Sequence, residues 1–313
     1  MKQKITVALL SGGTSTERDV SLSGGNQVCR ALSSDKYDVR RYDPATDIPR
    51  LIEDASSIDV ALIILHGTGG EDGTVQGLLD LLKIPYQCSG PMGSAIAMNK
   101  LASKRLYLQA GIPVPSHMSF NTGENIDIDC CIERLGLPIV VKPASGGSSI
   151  GMSIVRSKDS LRQAFDKAFA LDDTILLEEY IAGTEITGAV LGNIDLKTLP
   201  LVEIIPEKNH DFFDYEAKYK KGETREICPA RISAALTEKA RNLAAKAHEA
   251  LFCKGYSRTD MIVRNEDIYV LETNTIPGMT SESLLPLAAK TAGMNFEELL
   301  DRLITLGMEK HHP

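Results

Sequence analysis

Two β-prone runs on either side of a short polar segment, residues 265–267, constrain this chain more than any other feature of its sequence. The arrangement predicts a β-hairpin, in which the two runs lie side by side as antiparallel strands. With residues 265–267 as the loop, Arg264 pairs with Ile268. Counting back along both strands then places Asp260 directly opposite Glu272.

The same register places Arg258 opposite Asn274, so that four polar side chains share one face of the hairpin. Opposed residues have Cβ atoms about 5 Å apart, and two carboxylates at that separation repel each other. A hard cation between them would turn the repulsion into attraction, and two carboxylates with an amide suit Mg²⁺. The alternative is a solvated hairpin face, because a two-residue loop would shift the register and separate these side chains.

Length and composition place the chain among soluble globular proteins. Its 313 residues are enough for two or three domains, and its hydrophobic fraction of 43% and charged fraction of 24% are ordinary. The net charge of -8 argues against nonspecific nucleic-acid binding, but local basic groups could still hold an anionic substrate. No apolar run reaches the roughly 18–20 residues needed to span a bilayer, and the N-terminal segment predicts a first strand, not a signal peptide.

The cysteines favour a reducing compartment. They are scattered along a large chain and form no Cys-x-x-Cys pair, so we expect reduced, buried thiols in the cytoplasm. The six cysteines are Cys29, Cys88, Cys130, Cys131, Cys228 and Cys253.

The first ninety residues alternate strand and helix. Residues 4–10 and 59–65 are continuous apolar runs, which is the pattern of parallel strands buried on both faces. Residues 21–32 and 74–82 have helical periodicity. The segment Ser-Gly-Gly-Thr-Ser, residues 11–15, predicts a glycine turn at the carboxyl end of the first strand, where open α/β sheets bind ligands. Without G-x-G-x-x-G, it does not indicate dinucleotide binding.

The pattern changes from Pro91 onward. Residues 95–110 predict a helix, and prolines after it mark a linker. Short strand runs follow, joined by tight turns and backed by one helix, which favours an antiparallel sheet. The polar stretch 207–226 lacks clear periodicity and is long enough to be a functional loop. A helix over 234–251 leads into the hairpin, and two helices close the chain.

A glycine-serine loop follows Lys142, which lies at the end of a predicted strand. Its glycines let the backbone approach a ligand closely, and successive N–H groups can hold phosphate oxygens. It is not a Walker loop, because the lysine precedes the glycines and no helix follows at once. Together with the hairpin more than a hundred residues later, this loop points to Mg-ATP.

At this point the chain resembles the ATP-grasp superfamily and, within it, the D-alanine–D-alanine ligase family, over nearly its whole length. The motifs that carry the resemblance are residues 12–21, 65–73, 141–152, 214–219, 255–260 and 272–280. The resemblance implies an α/β protein of the ATP-grasp fold, with an N-terminal doubly wound α/β domain and two α+β domains clasping ATP. Its boundaries would be 1–95 for the N-terminal domain, 96–182 for the central subdomain and 183–313 for the catalytic domain.

The activity implied by the resemblance has two steps. ATP phosphorylates the carboxylate of one D-alanine, and the amine of a second D-alanine attacks the acyl phosphate and expels phosphate. Two Mg²⁺ ions, for which Mn²⁺ could substitute, would assist, and the enzyme would be a cytoplasmic homodimer that serves peptidoglycan synthesis. Alternatives are a D-alanine–D-lactate ligase, another ATP-grasp carboxylate–amine ligase, or an ATP-binding regulatory or kinase-like protein that has lost ligation.

The resemblance also implies the ATP-binding residues. Lysines would hold the phosphates, as point charges on flexible stems can. Backbone groups of the hinge would read the adenine edge, and a glutamate would take the ribose hydroxyls. The residues so implied are Lys100, Lys142 and Lys218 for phosphates, Glu178, Tyr180 and Ile181 at the hinge, and Glu185 for ribose.

Further roles concern catalysis and the two amino-acid substrates. Arg258 would bind the acyl phosphate, helped by the Gly278 N–H as an oxyanion donor. Glu17 would pair with the ammonium group of the first D-alanine and be held by Ser148 and Tyr219. His66 would lie near that substrate. Ser283 and the Leu284 N–H, at a helix N-terminus, would bind the carboxylate of the second D-alanine. The metal ligands would be Asp260, Asn274 and a bridging Glu272.

Several of these residues have plainer interpretations. His66 could be a core or turn histidine, and Glu185 a surface strand residue. Lys100 has Lys104 and another basic residue near it, which would suit a solvated basic helix face. Ser283 could simply cap a helix. The stretch 207–226 is interpreted as a lid that closes over the acyl phosphate and excludes water.

Overall fold

The computed structural model describes residues 4–147, 149–206 and 224–309. Within these ranges the chain forms three β-sheets with helices packed on them. No described helix is long and apolar enough to cross a membrane.

The N-terminal region is a doubly wound α/β unit, as predicted. Its three parallel strands lie in the order β2-β1-β3, and a parallel bridge from Ala61 to Tyr86 extends the edge. All the side chains from Val7 to Leu10 and from Val60 to Ile63 are fully buried, which explains the unbroken apolar runs. The elements are β1 (Ile5–Leu10), α1 (Arg18–Ala31), β2 (Tyr37–Tyr42), α2 (Ile48–Asp54), β3 (Val60–Ile63) and α3 (Thr74–Leu81).

The helix predicted over residues 95–110 is two helices, α4 (Pro91–Met98) and α5 (Lys100–Gln109). Asn99 separates them with an extended backbone, and its side chain accepts a hydrogen bond from the Ala102 N–H at 2.9 Å. Asparagine is a favoured N-cap because its side chain satisfies an unpaired N–H of the first turn. The single-helix prediction is wrong because it followed periodicity and overlooked this cap.

The central sheet is antiparallel, with strand order β4-β7-β5-β6. Apolar side chains of α6, α7 and the sheet form one core beneath it. The elements are β4 (His117–Asn121), α6 (Ile128–Leu135), β5 (Ile139–Pro143), β6 (Ser153–Val155), α7 (Leu161–Phe169) and β7 (Thr174–Glu179).

The third sheet is also antiparallel and has the order β11-β10-β8-β12-β13, with β9 paired to β8. Helix α8 packs on one face, and the other face borders the central sheet across a cleft. The elements are β8 (Thr184–Leu191), β9 (Lys197–Thr198), β10 (Val202–Pro206), β11 (Thr224–Ile227), α8 (Ala234–Ala250), β12 (Tyr256–Arg264) and β13 (Asp267–Asn274). Thr224–Ile227 overlaps the stretch predicted as irregular, so that part of the prediction is wrong.

Two C-terminal helices, α9 (Leu284–Thr291) and α10 (Phe296–Met308), return to the first sheet. Their buried leucines, such as Leu299 and Leu303, belong to the same apolar core as β1 and β3. The end of the chain therefore covers one face of the sheet with which the chain begins.

All six cysteines are free thiols. Cys88, Cys131 and Cys253 are buried, whereas Cys130 is exposed and the other two are partly exposed. The expectation of reduced thiols agrees with the structure, but only half of them are buried.

Candidate functional site

The hairpin of β12 and β13 forms, but its loop is shorter than predicted. Arg264 pairs with Asp267, not with Ile268, so that only Asn265 and Glu266 connect the strands. Asn265 takes a positive φ of 57°, a conformation that asparagine tolerates better than most residues. The prediction of a three-residue loop was wrong because the left-handed conformation of Asn265 makes a tighter turn possible.

A β-bulge restores the register that the shorter loop would have shifted. Met261 pairs with Val270, but Asp260 pairs with Glu272, which leaves Leu271 as the extra residue. A bulge allows two successive residues to face the same side of a sheet. Leu271 and Glu272 both line the cleft, while Val270 is buried beneath α8. The predicted opposition of Asp260 and Glu272 is therefore confirmed.

Arg258 lies opposite Asn274, also as predicted. The guanidinium donates from Nε to Asp260 Oδ1 at 2.9 Å and from its second nitrogen to Oδ2 at 2.7 Å. The Asn274 amide donates to Asp260 Oδ2 at 3.2 Å. Asp260 is 6% exposed, so the solvated-face alternative is wrong for this hairpin.

Thr187 on β8 is a site residue that sequence reasoning missed. Its hydroxyl donates to Asp260 Oδ1 at 2.6 Å and is itself buried. Nothing near Thr187 in the sequence points to this contact, because β8 and β12 become neighbours only in the folded sheet. Thr187 therefore orients the carboxylate that the hairpin presents.

The donor set on the hairpin fits a hard divalent cation. Asp260 and Glu272 are opposed carboxylates beside the amide of Asn274, and oxygen donors of this kind suit Mg²⁺. Thr273, between the two β13 ligands, faces the other way and bonds to Tyr107 and Thr259 at 2.7 and 2.9 Å. The alternation of β13 thus separates structural contacts from candidate ligands.

A cleft, here called the central cleft, lies between the central and third sheets. Its apolar walls come from residues such as Val140, Ile154, Ile262 and Leu271, which suit a flat ring. Its lining includes eight of the residues predicted for ATP and metal: Lys100, Lys142, Glu178, Tyr180, Ile181, Glu185, Asp260 and Glu272. Residues spread over more than 170 positions thus meet around one cavity.

Three charged side chains form a buried group at one wall of this cleft. Glu178 lies 2.9 Å from the ammonium of Lys142 through Oε2 and 2.9 Å from that of Lys104 through Oε1. Burial works to raise the pKa of Glu178, but the two lysines outweigh it and lower that pKa. Burial lowers the pKa of Lys104, while Glu178 works to raise it. Because Lys104 is fully buried, the interpretation of this lysine as part of a solvated face is wrong.

Lys100 lies at the glycine-serine loop. Its Nζ donates to the Gly146 carbonyl, and its backbone N–H donates to the Ala144 carbonyl at 2.7 Å. A bridge from Asn99 to Ser145 attaches the start of α5 to the same loop. The N-terminus of α5 and the loop are therefore held together at the mouth of the central cleft.

Glu17 lies where the N-terminal region meets the glycine-serine loop. It is 6% exposed, and a Cβ on Gly67 would lie 3.1 Å from its Oε2, while one on Gly147 would lie 3.9 Å away. The preceding turn is fixed because Gly12 N–H donates to Ser21 Oγ at 2.8 Å. Its carboxylate is therefore placed beside two glycine backbones.

His66 is 7% exposed and lies in the field of both Glu17 and Arg258. Burial lowers its pKa, while Glu17 and the backbone of Ile276 partly oppose that effect. His66, which follows β3, thus lies close to the segment that follows β13. This placement agrees with proximity to a substrate as well as with a buried turn histidine.

Glu71 is a second residue to which sequence reasoning assigned no role. Its Oε2 accepts a hydrogen bond from the Gly67 N–H at 2.8 Å. Burial raises its pKa to about 8, and the charges of Glu17 and Glu272 add to that rise while Arg258 opposes it. The one signal in the sequence was its position within the motif of residues 65–73.

Ser283 and Gly278 adjoin at the start of α9. Ser283 stands at the N-cap position, but its hydroxyl bonds to Thr280, with the Thr280 N–H donating at 3.1 Å. A Cβ on Gly278 would lie 3.0 Å from Ser283 Oγ. The Leu284 N–H belongs to the first turn of α9, and such N–H groups attract anions. Plain capping is therefore not what the hydroxyl of Ser283 does here.

Three predicted residues, Ser148, Lys218 and Tyr219, lie outside the described residues. The roles predicted for them stay predictions, as does the lid interpretation of most of residues 207–226.

Two family models match the sequence. The model described as D-ala D-ala ligase N-terminus matches residues 43–89, and that described as D-ala D-ala ligase C-terminus matches residues 106–305. A D-alanine–D-alanine ligase of Syntrophobacter fumaroxidans is 60% identical over 307 residues, covering 98% of this chain and 99% of the relative. One from Desulfotalea psychrophila is 52% identical over 310 residues, with 98% and 96% covered.

Solved structures are similar over the same length. A D-alanine–D-alanine ligase from Bacillus anthracis complexed with ATP has a TM-score of 0.84 and 36% identity, with 97% of each chain covered. A D-Ala:D-Ser ligase, VanG, from Enterococcus faecalis has a TM-score of 0.84 and 32% identity, covering 97% of this chain and 100% of that one. The fold of these structures agrees with that of this chain over nearly its whole length.

Proposed function

This chain belongs to the D-alanine–D-alanine ligase family, and on that premise we propose that it joins two D-alanine molecules at the expense of ATP. The observation that carries the proposal is the position of Arg258. It bonds to Asp260, which lines the central cleft, and its charge acts on both His66 and Glu71 on the N-terminal side. One guanidinium thus lies between the nucleotide cleft and the proposed amino-acid site.

The first step would form an acyl phosphate. The ammonium of the first D-alanine pairs with Glu17, which directs its carboxylate toward the γ-phosphate of ATP in the central cleft. An oxygen of that carboxylate bonds to the γ-phosphorus, and ADP leaves with the electrons of the broken bond. Lys100 and Lys142 hold the phosphates in line with the attacking carboxylate. The entropy cost of bringing the two reactants together is therefore met on binding and does not add to the barrier of the chemical step.

Mg²⁺ would be held by Asp260, Glu272 and Asn274, and when bound it would offset the charge on the transferring phosphoryl group. The three side chains fit this role because two carboxylates and an amide share one face of the hairpin. Arg258, which here bonds to Asp260, supplies a further positive charge at the same place.

The second step would form the peptide bond. The amine of the second D-alanine, once it has lost a proton, attacks the acyl carbon, and phosphate leaves. Arg258 and the Gly278 N–H stabilise the negative oxygen that develops on that carbon. Ser283 and the Leu284 N–H hold the carboxylate of the second D-alanine, and Gly278 adjoins Ser283 closely enough for one substrate to meet both groups.

We also propose a cytoplasmic homodimer that serves peptidoglycan synthesis, with Mn²⁺ able to replace Mg²⁺. The domain boundaries at residues 95 and 182 belong to the same proposal. The support for these points is the family membership of the chain.

The test is phosphate release from ATP with D-alanine, L-alanine, D-lactate or D-serine as the acceptor, followed by separation of the products by mass. We expect release with D-alanine and a product that is mainly D-alanyl-D-alanine. L-alanine serves as the stereochemical control and should give little release. A product that is mainly depsipeptide at pH 7 would promote the D-alanine–D-lactate alternative, and ATP binding with no ligation would favour a regulatory protein.

A further inference from the structure

Lys104 is a lysine without an assigned role in a position where lysine is costly. It lies on α5, its side chain is 0% exposed, and it does not line the central cleft. Lysine is almost never fully buried unless it is paired, and a buried ion pair is often no more stabilising than well-packed apolar side chains. The presence of a buried charge here calls for a reason other than stability.

The partner of Lys104 is also the partner of Lys142. Val140 pairs with Glu178 across β5 and β7, so Lys142 and Glu178 are diagonal neighbours on the same face. Glu178 therefore receives Lys142 from the neighbouring strand at one oxygen and Lys104 from α5 at the other, each at 2.9 Å.

The two lysines differ in what they can reach. Lys142 and Glu178 line the central cleft, so a ligand there can contact them, while Lys104 is sealed behind them. A phosphate in the cleft can thus compete with Glu178 for Lys142 but has no access to Lys104. If Glu178 had Lys142 as its sole counter-ion, moving Lys142 to a phosphate would leave a carboxylate unpaired in a buried place.

We propose that Lys104 is a positioning residue, a permanent counter-ion of Glu178 that frees Lys142 to bind the phosphates of ATP. The inference rests on the proposed ATP-dependent function. It predicts that the loss of Lys104 weakens binding of the phosphate part of the nucleotide only. The reason is that the proposed role of Lys142 is to bind the phosphates, not the base or the ribose.

The experiment compares the binding of ATP and of adenosine by calorimetry in Lys104→Met. The matched control is Arg105→Met, which removes a charge from the exposed face of the same helix. We expect Lys104→Met to weaken ATP by at least ~10-fold and adenosine by less than ~3-fold, because only ATP needs a released Lys142. At saturating ATP, kcat should stay within a few-fold of the parent, while KM for ATP rises.

Equal losses for ATP and adenosine would show that Lys104 only supports the shape of the cleft and would overturn the inference. An unchanged ATP affinity would overturn it as well. The parent enzyme is assayed for D-alanine-dependent phosphate release in parallel, so that failure of the proposed function is recognised separately.

The double variant K104M/E178Q keeps the test decisive if Lys104→Met alone does not fold, because it removes both buried charges. Without the carboxylate nothing retains Lys142, so the ratio of ATP to adenosine affinity should lie within ~3-fold of that of the parent. A lost contact to the adenine base would weaken ATP and adenosine equally, so the ratio of the two affinities is unaffected by it. A ratio that remains ~10-fold lower would overturn the inference.

Discussion

At the scale of single residues, the site depends on charges that are held by their neighbours. Asp260 is bonded by Arg258, Asn274 and Thr187, so its carboxylate has one orientation before any ligand arrives. Side chains with fixed orientation contribute more to a charged transition state, because they need not reorganise during the reaction. Two substitutions in this group test the proposed roles.

Glu272→Gln keeps the shape of the side chain and removes its negative charge. We expect kcat to fall at least ~10²-fold at saturating Mg²⁺, comparable to the loss of one strong electrostatic stabiliser. Glu266→Gln is the control, since it makes the same chemical change in the exposed turn of the same hairpin. Near-normal turnover in Glu272→Gln would remove the hairpin from the metal site.

Arg258→Lys tests the second step. A lysine cannot reproduce the two-pronged contact that Arg258 makes with Asp260, nor offer a planar donor to an acyl phosphate. We expect kcat to fall ~10²-fold or more, with ATP affinity changed less than a few-fold. If steady-state and binding measurements show lost ATP affinity and normal turnover of bound substrate, Arg258 has another role.

At the scale of the elements, the β-bulge in the hairpin compensates for its two-residue loop. A two-residue loop and a bulge together give the same opposition of Asp260 and Glu272 that a three-residue loop without a bulge would give. The bulge also adds an apolar side chain, Leu271, to the wall of the central cleft beside the metal ligand. One irregularity thus serves both the cation and the ring of the nucleotide.

Deletion of Leu271 tests this account. Without the extra residue, regular pairing from Arg264 to Asp267 onward still places Asp260 opposite Glu272, so Mg²⁺-dependent turnover should survive. KM for ATP should rise ~10-fold from the loss of one large apolar contact, measured by steady-state kinetics. Leu271→Ala should act in the same direction without shortening the strand. Loss of Mg²⁺-dependent turnover in the deletion variant alone would mean that the bulge itself positions the ligands.

At the scale of the whole molecule, the site lies where separate layers meet. The N-terminal layer supplies Glu17, His66 and Glu71, and the two antiparallel sheets supply the walls of the central cleft. Helices α9 and α10 join the far end of the chain to the first sheet through one apolar core. The residues proposed to bind D-alanine and those proposed to bind the nucleotide are therefore held in fixed positions relative to each other.

Glu71 makes stability depend on pH. Its pKa is about 8 in the folded protein, against an ordinary value of 4.5, so the folded state retains a proton that the unfolded state has lost between those two values. Stability should therefore fall as pH rises from about 4.5 to about 8 and change no further above that range because of this group. Glu71→Gln should remove this loss, which amounts to several kcal/mol at pH 8.

Denaturant unfolding of the parent and Glu71→Gln at several pH values between 5 and 9 checks this prediction. Glu53→Gln, on the exposed face of α2, is the control. A constant difference in the free energy of unfolding across this range would mean that Glu71 is ionised in the folded state.

The lid interpretation of residues 207–226 also concerns the whole molecule, because closure would exclude water from an acyl phosphate. Lys218 and Tyr219 lie in this stretch. We expect proteolysis there to slow when ATP and a phosphinate analogue are present, with cleavage sites identified by mass. Equal rates of cleavage with and without ligands would exclude a lid.

Much of the fold and of the candidate site could be predicted from the sequence, because local sequence patterns determine these features. Apolar runs predicted the parallel strands, and alternation along two short segments predicted that Asp260 and Glu272 share a face. Ordered motifs predicted the family and with it the residues that line the central cleft. These features depend on the spacing of side chains along one element, which is the same in the sequence and in the fold.

The tertiary structure alone decided the contacts between elements that are distant in sequence. Thr187 meets Asp260 because β8 and β12 are neighbours, and Lys104 is buried because Glu178 faces α5. The bulge at Leu271 likewise depends on how β13 must pack against β12 and α8 at the same time. Burial and pairing are properties of the assembled layers, so a charged residue on a helix cannot be assigned to solvent or to the interior from its spacing alone.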